Sequence, residues 1–237
     1  MSAHALGHPR AARRTLSLPW QHVLWLSGGM VLGFAVPFLF ADTLELNRDL
    51  YYGVYGLAVT GHVLAWARFT GQPLGVMVRR RWRLMLALSV LAGSVLVGMV
   101  LRTEAATARP EGLELVAALG WRGLFYGLVD GLLLSAFPIL AVFAAFAGTR
   151  LRGRRGGTLA IGAVALAASL VMTTVYHAGY SDFRSEKLRK PVVGDLVWSA
   201  PTLLTLNPVG APLAHAAMHM AAVGHSYETD TFLPPHR

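Results

Sequence analysis

The stretch "SAPTLLTLNPVGAPLAHAAMHMAAVGH", residues 199–225, decides how the whole chain is read. It is apolar enough for lipid, yet it carries Pro201, Pro208 and Pro212 and three imidazoles, His215, His219 and His225. Proline removes a helix hydrogen bond and its ring clashes with the preceding turn, so a helix through this stretch is kinked or partly unwound near Pro208. Unwound backbone at membrane depth survives only where protein or water satisfies it, which predicts a polar cavity beside His215.

The rest of the chain is of the same kind. Of 237 residues, 54% are hydrophobic and 14% charged, against about 25% charged in an ordinary soluble domain. Runs of about 20 apolar residues, the length that crosses a hydrocarbon core, fall at 20–41, 50–68, 83–102, 122–148, 158–178 and 197–224. The expected fold class is all-α: a polytopic membrane bundle of six transmembrane helices over 20–225, between tails at 1–19 and 226–237. "ARRTLSLPW" ahead of the first run is followed by too long an apolar stretch for a cleaved signal, so that run is expected to stay as the first helix.

Arginines orient the bundle. Arg68, Arg79, Arg80, Arg81 and Arg83 crowd one connection, and Arg150, Arg152, Arg154 and Arg155 another, with no acid in either. The other three connections are mixed or acidic, and the fifth, 179–196, is long and polar enough to fold over the helices as a lid. Positive charge stays on the cytoplasmic side, so both termini are expected there, in a cell membrane. The net charge of +9 is then a topology signal. Arg79, Arg80, Arg81, Arg152, Arg154 and Arg155 are expected to meet anionic lipid headgroups, and nucleic acid is not a partner, because these arginines lie in short loops between apolar runs.

The chain has no cysteine, which removes disulfides, iron–sulfur clusters, thiolate zinc sites and cysteine nucleophiles. Nor does it hold a dinucleotide fingerprint, a P-loop or a G-x-S-x-G elbow. In "GLFYGLVDG", Gly123, Gly127 and Gly131 recur every fourth residue and make a flat stripe for a neighbouring helix. Beside it lies Asp130, read as the only acid deep within any span. A carboxylate there costs about 2.5–3.5 kcal/mol on insertion scales, so it must face inward and find a donor, a proton or a cation; Arg122 is one candidate partner.

His215 and His219, at i and i+4, stack on one helical face and can hold one metal ion. His177 or His62 completes the set, according to whether the last helix is unwound or continuous. Asp130 is the candidate catalytic residue and zinc, Zn2+, the candidate cofactor, with three protein ligands and one open position. A late-helix HxxxH with His and Asp on other helices is similar to ceramidase-like membrane hydrolases and, more faintly, to prenyl-protein-type intramembrane proteases. The paired Glu motif of those proteases and a Ser-His pair in the second helix are absent. The resemblance implies metal-dependent hydrolysis of a lipid or a membrane-embedded peptide. The alternatives are a non-catalytic transporter subunit or assembly protein, whose histidines only bond between helices, and a haem b protein. Haem ranks last, because two histidines one turn apart cannot bind opposite faces of one iron.

Overall fold

The computed structural model describes residues 18–229 and 231–234, and among these every regular element is a helix. In chain order they are α1 (Pro19–Thr43), α2 (Arg48–Phe69), α3 (Leu74–Arg79), α4 (Trp82–Thr103), α5 (Gly112–Ala145), α6 (Arg155–Ala178), α7 (Arg189–Trp198), α8 (Ala200–Thr205) and α9 (Gly210–His225). Four of them, α1, α4, α5 and α6, are long and apolar enough to cross a membrane. Val31, Leu57, Leu91 and Leu159 stand exposed on the outside of the bundle. Apolar surface of that extent fits a lipid environment and not water, and the protein is membrane-embedded.

The last segment departs from expectation. One helix kinked at Pro208 was anticipated over 197–224, but the chain makes a hairpin. Helix α8 stops at Thr205, Leu206 takes a left-handed conformation (φ 55°), and α9 restarts at Gly210. Asn207 builds the turn: its Oδ1 accepts the Val209 N–H (3.0 Å), and its Nδ2 donates to the carbonyls of Val78 (2.7 Å) and Arg80 (3.0 Å). Pro208 has no N–H to continue a helix, so the chain reverses. Helices α7 and α8, almost continuous through Ser199, run one way, and α9 runs back.

That hairpin sets which end of the bundle the described residues after α9 occupy. The turn at 206–209 lies with the arginine-rich connections, since Arg81 donates to the Leu204 carbonyl (3.3 Å). The far end of α9 lies with the acidic connections: Thr107 N–H donates to His225 O (3.0 Å) and Arg109 to Gly224 O (2.8 Å). Residue 18, by contrast, starts at the arginine-rich end, where Trp66 Nε1 meets His22 (3.1 Å). The described start of the chain and the described residues of 226–234 therefore occupy opposite ends of the bundle. Of the expected tail 1–19, residues 1–17 lie outside the described residues, as do 230 and 235–237 of the other. The fifth connection is also shorter than expected, because its second half is α7.

Two π-helical stretches, Leu119–Phe125 and Leu132–Ala136, bracket the α-helical turn Tyr126–Gly131 within α5. Such widened turns occur preferentially at functional sites. The glycine stripe seats α9. A Cβ on Gly123 would meet Met220 Cγ at 2.9 Å, on Gly127 the Cα of Ala216 at 2.6 Å, and on Gly131 the Cα of Pro212 at 2.8 Å. Helix α9 is held on its other side by α4, where Gly93 approaches Ala217.

Gly127→Ala should therefore force α5 and α9 apart and lower stability by about 1–3 kcal/mol, read as a lower unfolding temperature in detergent. Gly120→Ala, with open space at its Cβ, should be neutral or slightly stabilising. Equal behaviour of the two variants would show that the stripe does not set the helix spacing.

Candidate metal centre

Because α5 and α9 touch backbone to backbone, side chains flanking the stripe are pressed together. Asp130 on α5 faces His215 and His219 on α9, and all three are buried. His215 Nε2 lies 3.0 Å from Asp130 Oδ2, and His219 Nε2 lies 3.8 Å from the same oxygen. One ligand atom from each residue falls within 4.8 Å of the other two, a group that could hold a metal ion. Tyr55 from α2 fixes the carboxylate by donating to Oδ1 (2.7 Å). The two imidazole rings are 4.7 Å apart, with Trp198 edge-on to His215 and Tyr126 edge-on to His219.

Three ring nitrogens are left over. His215 Nδ1 and both nitrogens of His219 are buried without a hydrogen bond. A buried polar atom in that condition costs about 1–3 kcal/mol. They border a cavity of about 20 Å³, room for one water-sized occupant. His177, from the end of α6, lines the same cavity. Its Nδ1 donates to the Thr173 carbonyl (2.8 Å), which leaves Nε2 as the ring atom with a lone pair. A metal-binding or proton-accepting histidine is commonly oriented by such a bond.

The expected residues thus divide. Asp130, His177, His215 and His219 come together, and His62 does not. His62 Nε2 is bonded to the Trp25 carbonyl (3.0 Å), and the ring packs between Trp25 and Phe137 against α1. The cause is the hairpin: with α9 starting at 210 and not at 197, His215 moves to the level of Asp130 and away from His62. Arg122 is not the partner of Asp130 either. It makes a two-pronged pair with Asp49 (2.7 and 2.6 Å) and donates to the Tyr227 hydroxyl.

A second buried acid was not foreseen. Asp195 on α7 had been placed in a polar connection, because six charged residues precede it within fifteen positions. It is fully buried. Thr173 donates to Oδ2 (2.9 Å), Ser169 reaches both oxygens (3.0 Å each), and Ser199 donates to Oδ1. Ser169 and Thr173, four apart on α6 and otherwise oddly polar within an apolar run, were the available signal.

Neither a protein family, a curated protein nor a solved structure matches this chain. The case for any activity therefore rests on the chain's own atoms.

Two neighbouring tyrosines give a controlled test of the carboxylate's anchoring. Tyr55→Phe leaves Asp130 Oδ1 without its donor and should cost about 1–3 kcal/mol. Tyr52→Phe removes a buried hydroxyl that has no partner and should be neutral or stabilising. Thermal unfolding of the two purified variants compares them directly, and a larger loss for Tyr52→Phe would contradict the assigned bond.

Proposed function

We propose that this chain is a membrane-embedded, zinc-dependent hydrolase of ester or amide bonds, with its centre at Asp130, His215 and His219. One observation carries the proposal: a carboxylate and two histidines converge from two helices on a water-sized cavity, with ring nitrogens there lacking hydrogen bonds. A mixed nitrogen and oxygen donor set suits zinc, whose ligand bonds of about 2.0–2.2 Å require donors about 3.3 Å apart. Donors now 3.0–3.8 Å from Asp130 Oδ2 reach that spacing by small side-chain rotations. When bound, the ion supplies Lewis acidity that polarises a carbonyl and activates water.

The residues have separate tasks. Asp130 was anticipated as the catalytic residue and His177 as a metal ligand, but the position of Asp130 between both histidines suits it better as a ligand through Oδ2, with Oδ1 held by Tyr55. His177 Nε2 then takes the proton from water. The water oxygen bonds to the carbonyl carbon, the bond from that carbon to the leaving oxygen or nitrogen breaks, and His177 returns the proton to the leaving atom. Trp198 and Tyr126 exclude bulk water around the pair.

The geometry also favours seven crossings, α1, α2, α4, α5, α6, the α7–α8 leg and α9, with the arginine-rich end cytoplasmic by the positive-inside rule. The cavity then opens toward the opposite side. Arg79, Arg80, Arg81, Arg152, Arg154 and Arg155 meet anionic headgroups on the cytoplasmic leaflet. One observation favours a non-catalytic role: the cavity is small and residues Thr231, Phe232 and Pro234 close it.

Purified protein should retain about one zinc per chain. Asp130→Ala, His215→Ala and His219→Ala should each lose it, while His62→Ala keeps it. Ligand histidines must be unprotonated, so occupancy should fall as pH drops through the histidine range. Full occupancy in His215→Ala and His219→Ala would end the proposal. Separately, a reporter active only outside the cytoplasm should be active when fused after residue 229; silence there would restore an even number of crossings.

A further inference from the structure

We infer that residues Thr231–Pro234 sit in the site as a resident stand-in for substrate, and that the substrate is an apolar, non-helical peptide segment and not a lipid. This deepens the hydrolase reading and rests on it. The chain turns back after α9. Phe232 and Leu233 are buried although they follow the last helix, and Thr231, Phe232 and Pro234 line the same cavity as Asp130, His177, His215 and His219. A short stretch of the chain's own peptide thus already lines the cavity beside His215 and His219, where a substrate peptide would be needed.

The segment is pinned from outside the cavity. Arg122 donates to the Tyr227 hydroxyl and its guanidinium lies 5.1 Å from the centre of that ring. Arg48 donates to the Tyr227 carbonyl (3.3 Å), and Thr107 Oγ1 accepts the Glu228 N–H (3.1 Å). Beyond Tyr227, the held part is short and carries no helix. Intramembrane hydrolysis of a peptide requires unwound backbone, because helical carbonyls are turned into the helix and already bonded. A site that accepts Thr-Phe-Leu-Pro in an unwound form therefore recognises backbone and two apolar side chains. Phe232 lines the histidines' cavity and fills one such position, and Leu233 beside it is fully buried in the core. The cavity measures about 20 Å³, and three residues of this segment, Thr231, Phe232 and Pro234, form part of its wall.

The absence of cysteine makes accessibility measurable at one introduced thiol. Met218 lines the cavity and is buried. In the full-length protein, Met218→Cys should react slowly with a water-soluble maleimide. Adding Phe232→Ala and Leu233→Ala should raise the rate at least about tenfold, since truncating two buried apolar side chains weakens docking. Arg122→Gln, which loosens the pin at Tyr227 without touching the cavity, should raise it by a second route, so a misfolded double variant does not decide the matter. Acetylated and amidated Thr-Phe-Leu-Pro, added to a released variant, should slow labelling again, and a short-chain phosphatidylcholine should not. Unchanged labelling in both released variants would overturn the inference, and so would protection by the phospholipid but not the peptide. If the peptide protects a protein that retains no zinc, the peptide site stands and the zinc reading alone fails.

Discussion

The carboxylate of Asp130 sits at a depth where nothing but the protein can stabilise it, and much of the bundle is arranged around that need. An uncompensated charge there costs several kcal/mol. Compensation comes from two directions. Tyr55 on α2 holds one oxygen, and α9 brings two histidines to the other. Histidine is short, so α9 must come close. The glycines at 123, 127 and 131 permit that approach, leaving the α9 backbone where a Cβ on α5 would otherwise be. Packing and electrostatics thus depend on the same contact: widening it loosens the core and strands the carboxylate together.

The hairpin at Asn207 and Pro208 sets which residues share that level. A single long helix from 197 would place His215 about 27 Å from the far end of the bundle and beside His62. Reversing the chain at 206–209 makes His215 the sixth residue of a new helix and brings it level with Asp130. The turn is anchored by the Asn207 amide, which donates to the carbonyls of Val78 at the end of α3 and of Arg80 just beyond it. A side chain at one end of the bundle therefore fixes the register of the centre deeper within it.

The class of fold was legible because composition and run length answer to lipid directly, residue by residue. The Asp130, His215 and His219 group was legible for a related reason: polar residues in apolar runs have few admissible places, and the i, i+4 spacing put both histidines on one face. The hairpin was not legible from hydropathy, which sums residues 197–224 without regard to direction. The prolines marked a break, but a break and a reversal have the same sequence until the partner of Asn207 is known. Asp195 was missed for the converse reason. Charged neighbours at 182–190 mask an acid whose own helix dives inward, and two of its three donors, Ser169 and Thr173, lie on α6, 26 and 22 residues away. The choice between His62 and His177 depended on that same unseen reversal.

The two buried carboxylates show what separates a structural acid from a site. Asp195 and Asp130 bear the same desolvation cost in the same bundle. Around Asp195 the chain supplies three hydroxyls from α6 and the α7–α8 junction, and Ser135 on α5 backs Ser199 (2.7 Å). Both carboxylate oxygens of Asp195 thus accept from hydroxyls. Around Asp130 the chain supplies one hydroxyl and two rings, and three ring nitrogens stay without hydrogen bonds beside a cavity. Nitrogen donors with unspent lone pairs are poor structural cement and good ligands. Their concentration at one of the two acids sets Asp130, with His215 and His219, apart from Asp195 as a group that could hold a metal ion.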